Sequence, residues 1–279
     1  MHRSSLHFRH AQIALFFSIC AGAILPFLAG CGAKNSAWDA ARPKPLIVGM
    51  ELSYPPFEML DESGKPAGIG VDLARALATQ LGRELKIENT PFDGLITALK
   101  TGRIDLIVSS MTATPERAES IDFSGPYVRT GIAILANAKS DIQGIADLDK
   151  PGRIVVTKTG TTGYLYAKNH FTQATLRVLP EEANCALEVS QGKADAFLFD
   201  QMAIFQHARK YRESTRALLE PFQREDWAIG VRKGNPELLR QVNAFLEDFR
   251  GRKQLEALGE KYLRADQEAF AKMGNPFSS

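Results

Sequence analysis

Short apolar runs alternate with amphipathic stretches along most of the chain, a pattern typical of an α/β protein. Each short apolar run predicts a buried strand, and each stretch with apolar residues at helical spacing predicts a helix that packs on the sheet. The predicted strands are 46–49, 85–88, 104–108, 153–156, 176–179, 196–199 and 227–231. The predicted helices are 71–81, 92–100, 164–170, 182–191, 236–249 and 255–263.

The same order of elements occurs twice, and the two halves match most closely where a helix ends. The segments LKTGRIDLIVSS (99–110) and VSQGKADAFLFD (189–200) share a glycine, a basic residue, an aspartate and an apolar strand. Matching βαβαβ units predict two similar lobes. Asp105 and Asp195 begin equivalent strands, and we expect both to be structural and to fix the turn between helix and strand.

The first thirty residues have the pattern of an export signal. Arg3 and Arg9 form a basic start, an apolar stretch covers 11–28, and small residues lead to a cysteine. The run LAGC (28–31) resembles a bacterial lipobox. The resemblance implies cleavage after Gly30 and acylation of the cysteine thiol, with palmitate among the acyl chains.

We therefore expect residues 1–30 to be a lipoprotein signal peptide and 31–45 to comprise the lipidated Cys31 and a flexible tether. Several acyl chains anchor a protein durably where one chain is marginal. The alternative is an uncleaved transmembrane anchor, because the apolar run approaches the length that spans a bilayer.

Charge and cysteine content narrow the possible partners. The chain has 34 basic and 32 acidic residues, and removing the two arginines of the first thirty residues leaves equal numbers. A near-neutral body without a basic block gives no reason to expect nucleic acid. Cys185 is the one cysteine left in the mature body, so we expect a buried structural thiol and no internal disulfide. No Cys/His cluster has metal-ligand spacing, and we expect no metal and no cofactor.

Candidate ligand contacts follow the ends of the predicted strands. In open α/β sheets, ligands bind beyond the carboxyl ends of the strands, where loops and helix N-termini converge. Those positions are rich in hydroxyl groups and include Glu51, Tyr54, Ser109, Ser110, Thr112, Lys158, Thr161, Thr162 and Asp200.

Two charged residues suggest the class of ligand. Arg117 follows one strand end closely enough to turn back toward it, and its guanidinium can hold a carboxylate in two hydrogen bonds. Asp200 can accept hydrogen bonds from an ammonium group, and GTTG (160–163) opens a helix whose free N–H groups suit a carboxylate. Together these groups would clamp an α-amino acid. The simpler interpretations are a solvated arginine and plain helix caps.

Six segments carry a resemblance to a known family. They are YPPFE (54–58), GIGVDLARALA (68–78), FDGLITALKTGRIDLIVSSMTATPERAESIDFSGPY (92–127), KTGTTG (158–163), GKADAFLFD (192–200) and AIGVRKGNPELL (228–239). In this order they resemble the polar amino-acid-binding proteins of ABC importers, the bacterial extracellular solute-binding proteins of family 3. The resemblance implies a type II periplasmic-binding-protein-like α/β fold, with two hinge-connected βαβ lobes and a ligand cleft between them.

The same resemblance implies how the chain is divided. Lobe 1 would consist of 46–130 and a C-terminal return over 227–264, and lobe 2 of 131–226. Hinge crossovers would lie near 129–134 and 222–229, and residues 265–279 would form a polar tail that frays.

The resemblance also assigns the two ends of the ligand. Arg117 would hold the carboxylate, aided by Thr112 and by the backbone and hydroxyl groups of 161–162. Asp200 and Ser110 would hold the α-ammonium. Beside these contacts, the full set of residues expected to line the cleft adds Glu51, Tyr54, Phe92, Ser109 and Lys158.

The ligand's side chain would lie between Tyr54 and Phe92, with Glu51 and Lys158 near its far end. Glu51 alone would favour a basic amino acid, whereas Lys158 beside it favours a neutral polar one such as glutamine. If the two side chains pair with each other, neither inference holds. Family members often carry Asp where this chain has Glu51, which changes the shape of this end.

The implied function is that of an exported, monomeric binding protein without catalytic residues. It would capture a polar α-amino acid by hinge closure and deliver it to the permease subunits of an ABC transporter. An alternative is a cyclohexadienyl dehydratase-like enzyme on the same fold, for which Asp226 is the candidate acid. Another is a ligand-presenting subunit for a separate receptor. The family often has Glu-Pro-Tyr where this chain has Glu225-Asp226-Trp227, so a carboxylate lies near the hinge without an assigned role.

Overall fold

Two long antiparallel strands run through the middle of the protein in a computed structural model that describes residues 43–272. The strands are β1 (Leu46–Met50), β2 (Ser53–Tyr54), β3 (Glu58–Leu60), β4 (Pro66–Ala67), β5 (Leu85–Asn89), β6 (Leu106–Ile107), β7 (Asp122–Asn137), β8 (Ile154–Lys158), β9 (Thr175–Leu179), β10 (Ala196–Asp200) and β11 (Thr215–Val231). The α-helices are α1 (Ile69–Gln80), α2 (Leu95–Lys100), α3 (Pro115–Ala118), α4 (Thr162–His170), α5 (Glu182–Ser190), α6 (Gln201–Lys210), α7 (Pro236–Gly251) and α8 (Gln254–Lys272). The predicted signal peptide, Cys31 and most of the tether lie outside the described residues.

The main sheet has the order β5-β1-β6-β11-β7-β10-β8-β9. β1, β5 and β6 are parallel to one another on one side, and β8, β9 and β10 are parallel on the other. The long strands β7 and β11 lie between the two groups and pair antiparallel with each other. This arrangement forms two α/β lobes on a shared pair of strands, as the resemblance implied.

The internal repeat is visible in atomic detail at two aspartates. Asp105 accepts a hydrogen bond from the Ile47 N–H at 3.0 Å, at the start of the first lobe's parallel strands. Asp195 accepts one from the Ile154 N–H at 2.7 Å at the equivalent place in the second lobe. A carboxylate that accepts from a backbone N–H fixes the turn before the strand. The structural interpretation of both residues is confirmed.

The pairing of β7 and β11 is interrupted between the lobes. Leu218 pairs with Ile134, and the next pair in register is Gln223 with Ile132, so four residues of β11 are passed over for one of β7. A break in a sheet register locally bends the strands. Gly131 faces this break, and a Cβ there would lie 2.4 Å from the Pro221 side chain.

The C-terminal helix differs from its prediction. The sequence predicts that the last helix ends near Leu263 before a polar tail, but α8 continues to Lys272. Asp266 accepts hydrogen bonds from Gln206 at 2.9 Å and Arg209 at 2.8 Å, both on α6. The prediction of a frayed tail is therefore wrong for residues 265–272, because a polar face can be held by hydrogen bonds instead of apolar burial.

Other local differences are small. The predicted helix over 92–100 is a 3-10 turn, Phe92–Gly94, followed by α2. A small sheet of β2, β3 and β4 was not predicted. Cys185 is fully buried, and burial raises the pKa of its thiol to about 12. Across the described residues, no helix is both long enough and apolar enough to cross a membrane.

Candidate functional site

One cleft between the lobes collects every residue that the sequence predicted for ligand contact. It contains about 510 Å³ of empty space, part of it open to solvent. The predicted residues that line it are Glu51, Tyr54, Phe92, Ser109, Ser110, Thr112, Arg117, Lys158, Thr161, Thr162 and Asp200. Gly163, Phe199, Glu225 and Trp227 complete the lining.

Arg117 is a buried cation placed by a single helical turn. The Thr114 hydroxyl caps α3 by accepting from the Arg117 N–H, and the side chain, 6% exposed, turns back into the cleft. Its guanidinium donates to the Thr112 carbonyl at 2.7 Å and to the Gly160 carbonyl at 2.9 Å, and it lies 5.4 Å from the Phe92 ring centre. Burial lowers the pKa of Arg117 to about 10, so the group stays cationic at neutral pH.

Asp200 has both roles that its sequence position allowed. It caps α6 by accepting from the N–H groups of Met202 and Ala203, each at 3.1 Å, and it also lines the cleft. Burial raises the pKa of Asp200 to about 7, and the nearby charge of Glu182 adds to that shift. A carboxyl with this pKa changes its charge within the physiological range.

Glu51 and Lys158 form an ion pair across the cleft. Glu51 follows β1 in the first lobe, and Lys158 ends β8 in the second with 3% of its surface exposed. The second oxygen of Glu51 accepts from the Phe92 N–H at 3.3 Å. Because the two charges satisfy each other, neither residue alone indicates the charge of the ligand's side chain, and both of those single-residue inferences fall away.

The threonine hydroxyls bond within the protein. Thr112 and Thr162 both donate to the same oxygen of Glu225, at 2.6 and 2.8 Å. Thr161 donates to the Lys158 carbonyl at 2.8 Å and caps α4. The Thr161 cap takes the Tyr164 N–H at 3.4 Å, and the other N–H groups of the first turn of α4 have no acceptor within the helix, which suits an anion.

The two serines are also held by the first lobe. Ser109 accepts a hydrogen bond from the Glu51 N–H at 3.0 Å. Ser110 has a backbone φ of +49°, and its hydroxyl donates to buried Glu58 at 2.9 Å. The Ser110 N–H donates to the Tyr127 hydroxyl at 3.1 Å. A non-glycine residue at positive φ stores strain and is held by such contacts.

Four aromatic rings pack at the closed side of the cleft. Tyr54 stacks on Phe57 with ring centres 5.2 Å apart and meets Phe199 and Trp227 edge-on at 5.8 and 6.1 Å. Rings in offset and edge-on contact are well packed. These contacts hold the Tyr54 ring in the arrangement of the lobes described here.

Glu225 and Trp227 line the cleft but were not among the predicted contacts, although strand alternation carried the signal. Alternate residues of a strand face the same side. Glu225 and Trp227 face the cleft, whereas Asp226 between them points outward, 55% exposed, and pairs with Arg129 at 3.6 Å. Asp226 is therefore outside the cleft lining, and the carboxylate at this position of the site belongs to Glu225.

The fold and the site together define a class of protein. Two α/β lobes of type II topology, joined by two strands and closed over a polar cleft, are the architecture of a periplasmic-type binding protein. The chain belongs to the bacterial extracellular solute-binding proteins, family 3, whose model matches residues 46–265.

Individual relatives agree with this assignment. The L-cystine-binding protein TcyJ of Escherichia coli (strain K12) is 31% identical over 222 residues, which cover 79% of this chain and 83% of TcyJ. A binding component of an ABC transporter from Wolinella succinogenes, complexed with lysine, superposes with a TM-score of 0.73 at 35% identity, covering 79% of this chain and 96% of that one. The ancestral amino acid-binding protein AncCDT-1, a precursor of cyclohexadienyl dehydratase, gives the same TM-score and identity over 81% of this chain and 98% of its own.

Gly160 lies where the second lobe meets the first, and its substitution tests whether this contact limits closure. Gly160 has φ +74°, and an added Cβ would lie 3.1 Å from the Asp93 side chain of the first lobe. Gly152 has φ +83° with open space around it. Gly160→Ala and Gly152→Ala should both lose about 1–2 kcal/mol of stability from the left-handed backbone.

Only Gly160→Ala should also weaken binding, roughly tenfold, because its methyl group obstructs closure. Thermal unfolding without ligand measures the loss of stability. Calorimetric titration with an amino acid that the wild type binds measures the loss of affinity. Equal affinities in the two variants would show that this approach does not limit closure.

Proposed function

We propose that this protein is the amino-acid-binding component of an ABC importer. One observation carries the proposal: the buried cation Arg117 of the first lobe and the buried carboxyl Asp200 of the second line the same cleft. A cation and an acid from opposite lobes suit the two ends of a zwitterion. An α-amino acid would satisfy both groups only in the closed state and would therefore favour closure by its differential affinity.

The names of the relatives support the ligand class. They describe proteins that bind cystine or lysine, and one neighbour bears the general name of an amino acid-binding protein. We propose a polar α-amino acid with its carboxylate on Arg117 and the N-terminal turn of α4, and its ammonium on Asp200. Tyr54 and Phe92 would flank its side chain. The Glu51–Lys158 pair would present hydrogen-bonding groups, without a net charge, to the far end of the ligand's side chain.

We further propose that the protein is exported and lipid-anchored at Cys31 after removal of residues 1–30, and that it acts as a monomer. The lobes would divide at 130–131 and 226–227. The break in the β7–β11 register between Leu218 and Gln223 supports a hinge close to the second boundary. The amino acid would pass from the closed lobes to the permease subunits.

The enzyme alternative has weaker support. The exposed position of Asp226 leaves its carboxylate outside the cleft lining, and AncCDT-1 is itself described as an amino acid-binding protein. Relatives named as solute-binding proteins favour a non-enzymatic role.

A thermal-shift screen of residues 32–279 tests the proposal. The panel is the twenty common amino acids, ornithine, citrulline, cystine and prephenate. An amino acid present at 100 times its dissociation constant should stabilise the protein by about 2.7 kcal/mol. A shift with one or a few amino acids is expected. No shift with any amino acid, or turnover of prephenate, would contradict the proposal.

Arg117→Ala should weaken binding of the amino acid found in the screen by about 2–5 kcal/mol, because the bound carboxylate would lose its charged partner. Arg129→Ala is the matched control, since this exposed arginine has only a surface ion pair, and such pairs contribute little. Calorimetric titration gives both affinities, and circular dichroism verifies folding. Near-normal affinity of Arg117→Ala would refute its role.

Binding should strengthen as the pH rises through the pKa of Asp200. The pKa of about 7 means that protonated Asp200 predominates at pH 6, and a neutral carboxyl holds an ammonium less well. We expect the dissociation constant to be roughly tenfold larger at pH 6 than at pH 8. Because burial also raises the pKa of Glu225 and Glu58, Asp200→Asn is the control. It should bind weakly with little pH dependence between 6 and 8; an unchanged pH dependence would contradict the assignment.

A further inference from the structure

Glu225 is a buried carboxylate in the strand that joins the lobes, with 5% of its surface exposed. It lies in the part of β11 that continues into the first lobe, opposite Thr130 of β7. Asp226 beside it is exposed, and so is Arg224. A buried carboxylate is costly unless donors surround it, so its partners define its role.

Glu225 has partners on both sides of the cleft. One oxygen accepts from the Thr112 hydroxyl at 2.6 Å and from the Thr162 hydroxyl at 2.8 Å, and the other accepts from the Gln223 amide at 3.0 Å. Hydrogen bonds to an ionised acceptor are among the strong ones.

The two threonines belong to different bodies. Thr112 is tied to β11, because the N–H groups of Ala113 and Ala228 bond across to Asp226 and Met111 at 2.9 and 3.0 Å. Thr162 opens α4 in the second lobe. The Thr112 bond therefore holds the carboxylate in place within the first lobe, and the Thr162 bond forms between the lobes.

Resting on the proposed function, we infer that Glu225 is a positioning residue that couples ligand capture to closure. Its carboxylate, oriented by Thr112 and Gln223, receives the Thr162 hydroxyl when the second lobe swings in. That bond fixes the first turn of α4, whose N–H groups then face the ligand carboxylate beside Arg117. Opening the cleft breaks the bond and removes one donor from a buried charge, so the closed state is favoured.

The test compares variants of the full chain, purified in detergent, by titration with L-glutamine, L-arginine and L-lysine. Glu225→Ala and Thr162→Val should each weaken the binding seen in the wild type by 10- to 100-fold, mainly by faster dissociation. The double variant should have the same affinity as the single variant with the lower affinity, because both changes remove the same bond. Glu225→Gln keeps an acceptor oxygen and should remain within threefold of the wild type. Asp226→Ala, the adjacent outward-facing carboxylate, should remain within twofold.

Small-angle scattering without any amino acid provides a second readout that does not depend on the identity of the ligand. Glu225→Ala and Thr162→Val should each give a larger radius of gyration than the wild type. Glu225→Gln and Asp226→Ala should have the same radius of gyration as the wild type. If the wild type binds none of the three amino acids but the scattering differences appear, the closure role stands and the choice of ligand is at fault. Additive losses in the double variant, or identical scattering of all variants, would overturn the inference.

Discussion

The pairing of β7 with β11 is the interaction on which the rest of the molecule depends. β11 pairs with β6 of the first lobe, β7 pairs with β10 of the second, and the two long strands pair with each other, so both lobes belong to one hydrogen-bonded sheet. A continuous ladder keeps the lobes in register. The ladder is interrupted between Leu218 and Gln223, and a rotation there, as we propose, would change the cleft without unfolding either lobe.

Buried charged groups in the cleft make bonds that hold the two lobes together. In the closed cleft, Glu51 meets Lys158, Arg117 meets the Gly160 carbonyl, and Glu225 meets Thr162, each bond joining one lobe to the other. A buried charge without a partner is strongly unfavourable. In the motion that we propose, separation of the lobes would break all three bonds and let water replace them, so these bonds would favour closure to the extent that they are stronger than the contacts with water. The amino acid that we propose would add the remaining partners of Arg117 and Asp200.

The features that follow local rules could be predicted from the sequence. The helix–Gly–Asp–strand repeat placed Asp105 and Asp195 correctly. The strand-end rule supplied nine of the eleven predicted contacts that line the cleft, Arg117 was inferred from its place after a strand end, and Phe92 came from the family resemblance. The pairing of Glu51 with Lys158 was left as an open alternative, since it depends on a distance between lobes that no spacing along the chain encodes. Strand alternation could have placed Glu225 in the cleft, but it could not have identified the hydrogen-bond partners of its carboxylate. The extension of α8 depended on the tertiary contacts of Asp266.

Trp227 gives the cleft an optical property. It is the sole tryptophan of the described residues, because the other of the two is Trp38, and its ring packs edge-on against Phe57 with centres 5.0 Å apart. Indole emission responds to the polarity and the charges around the ring. Glu225 lies two residues away on the same face of β11, so opening the cleft would wet this corner. The contribution of Trp227 to the intrinsic emission should therefore change as the cleft opens, against the background of Trp38 and with no attached dye.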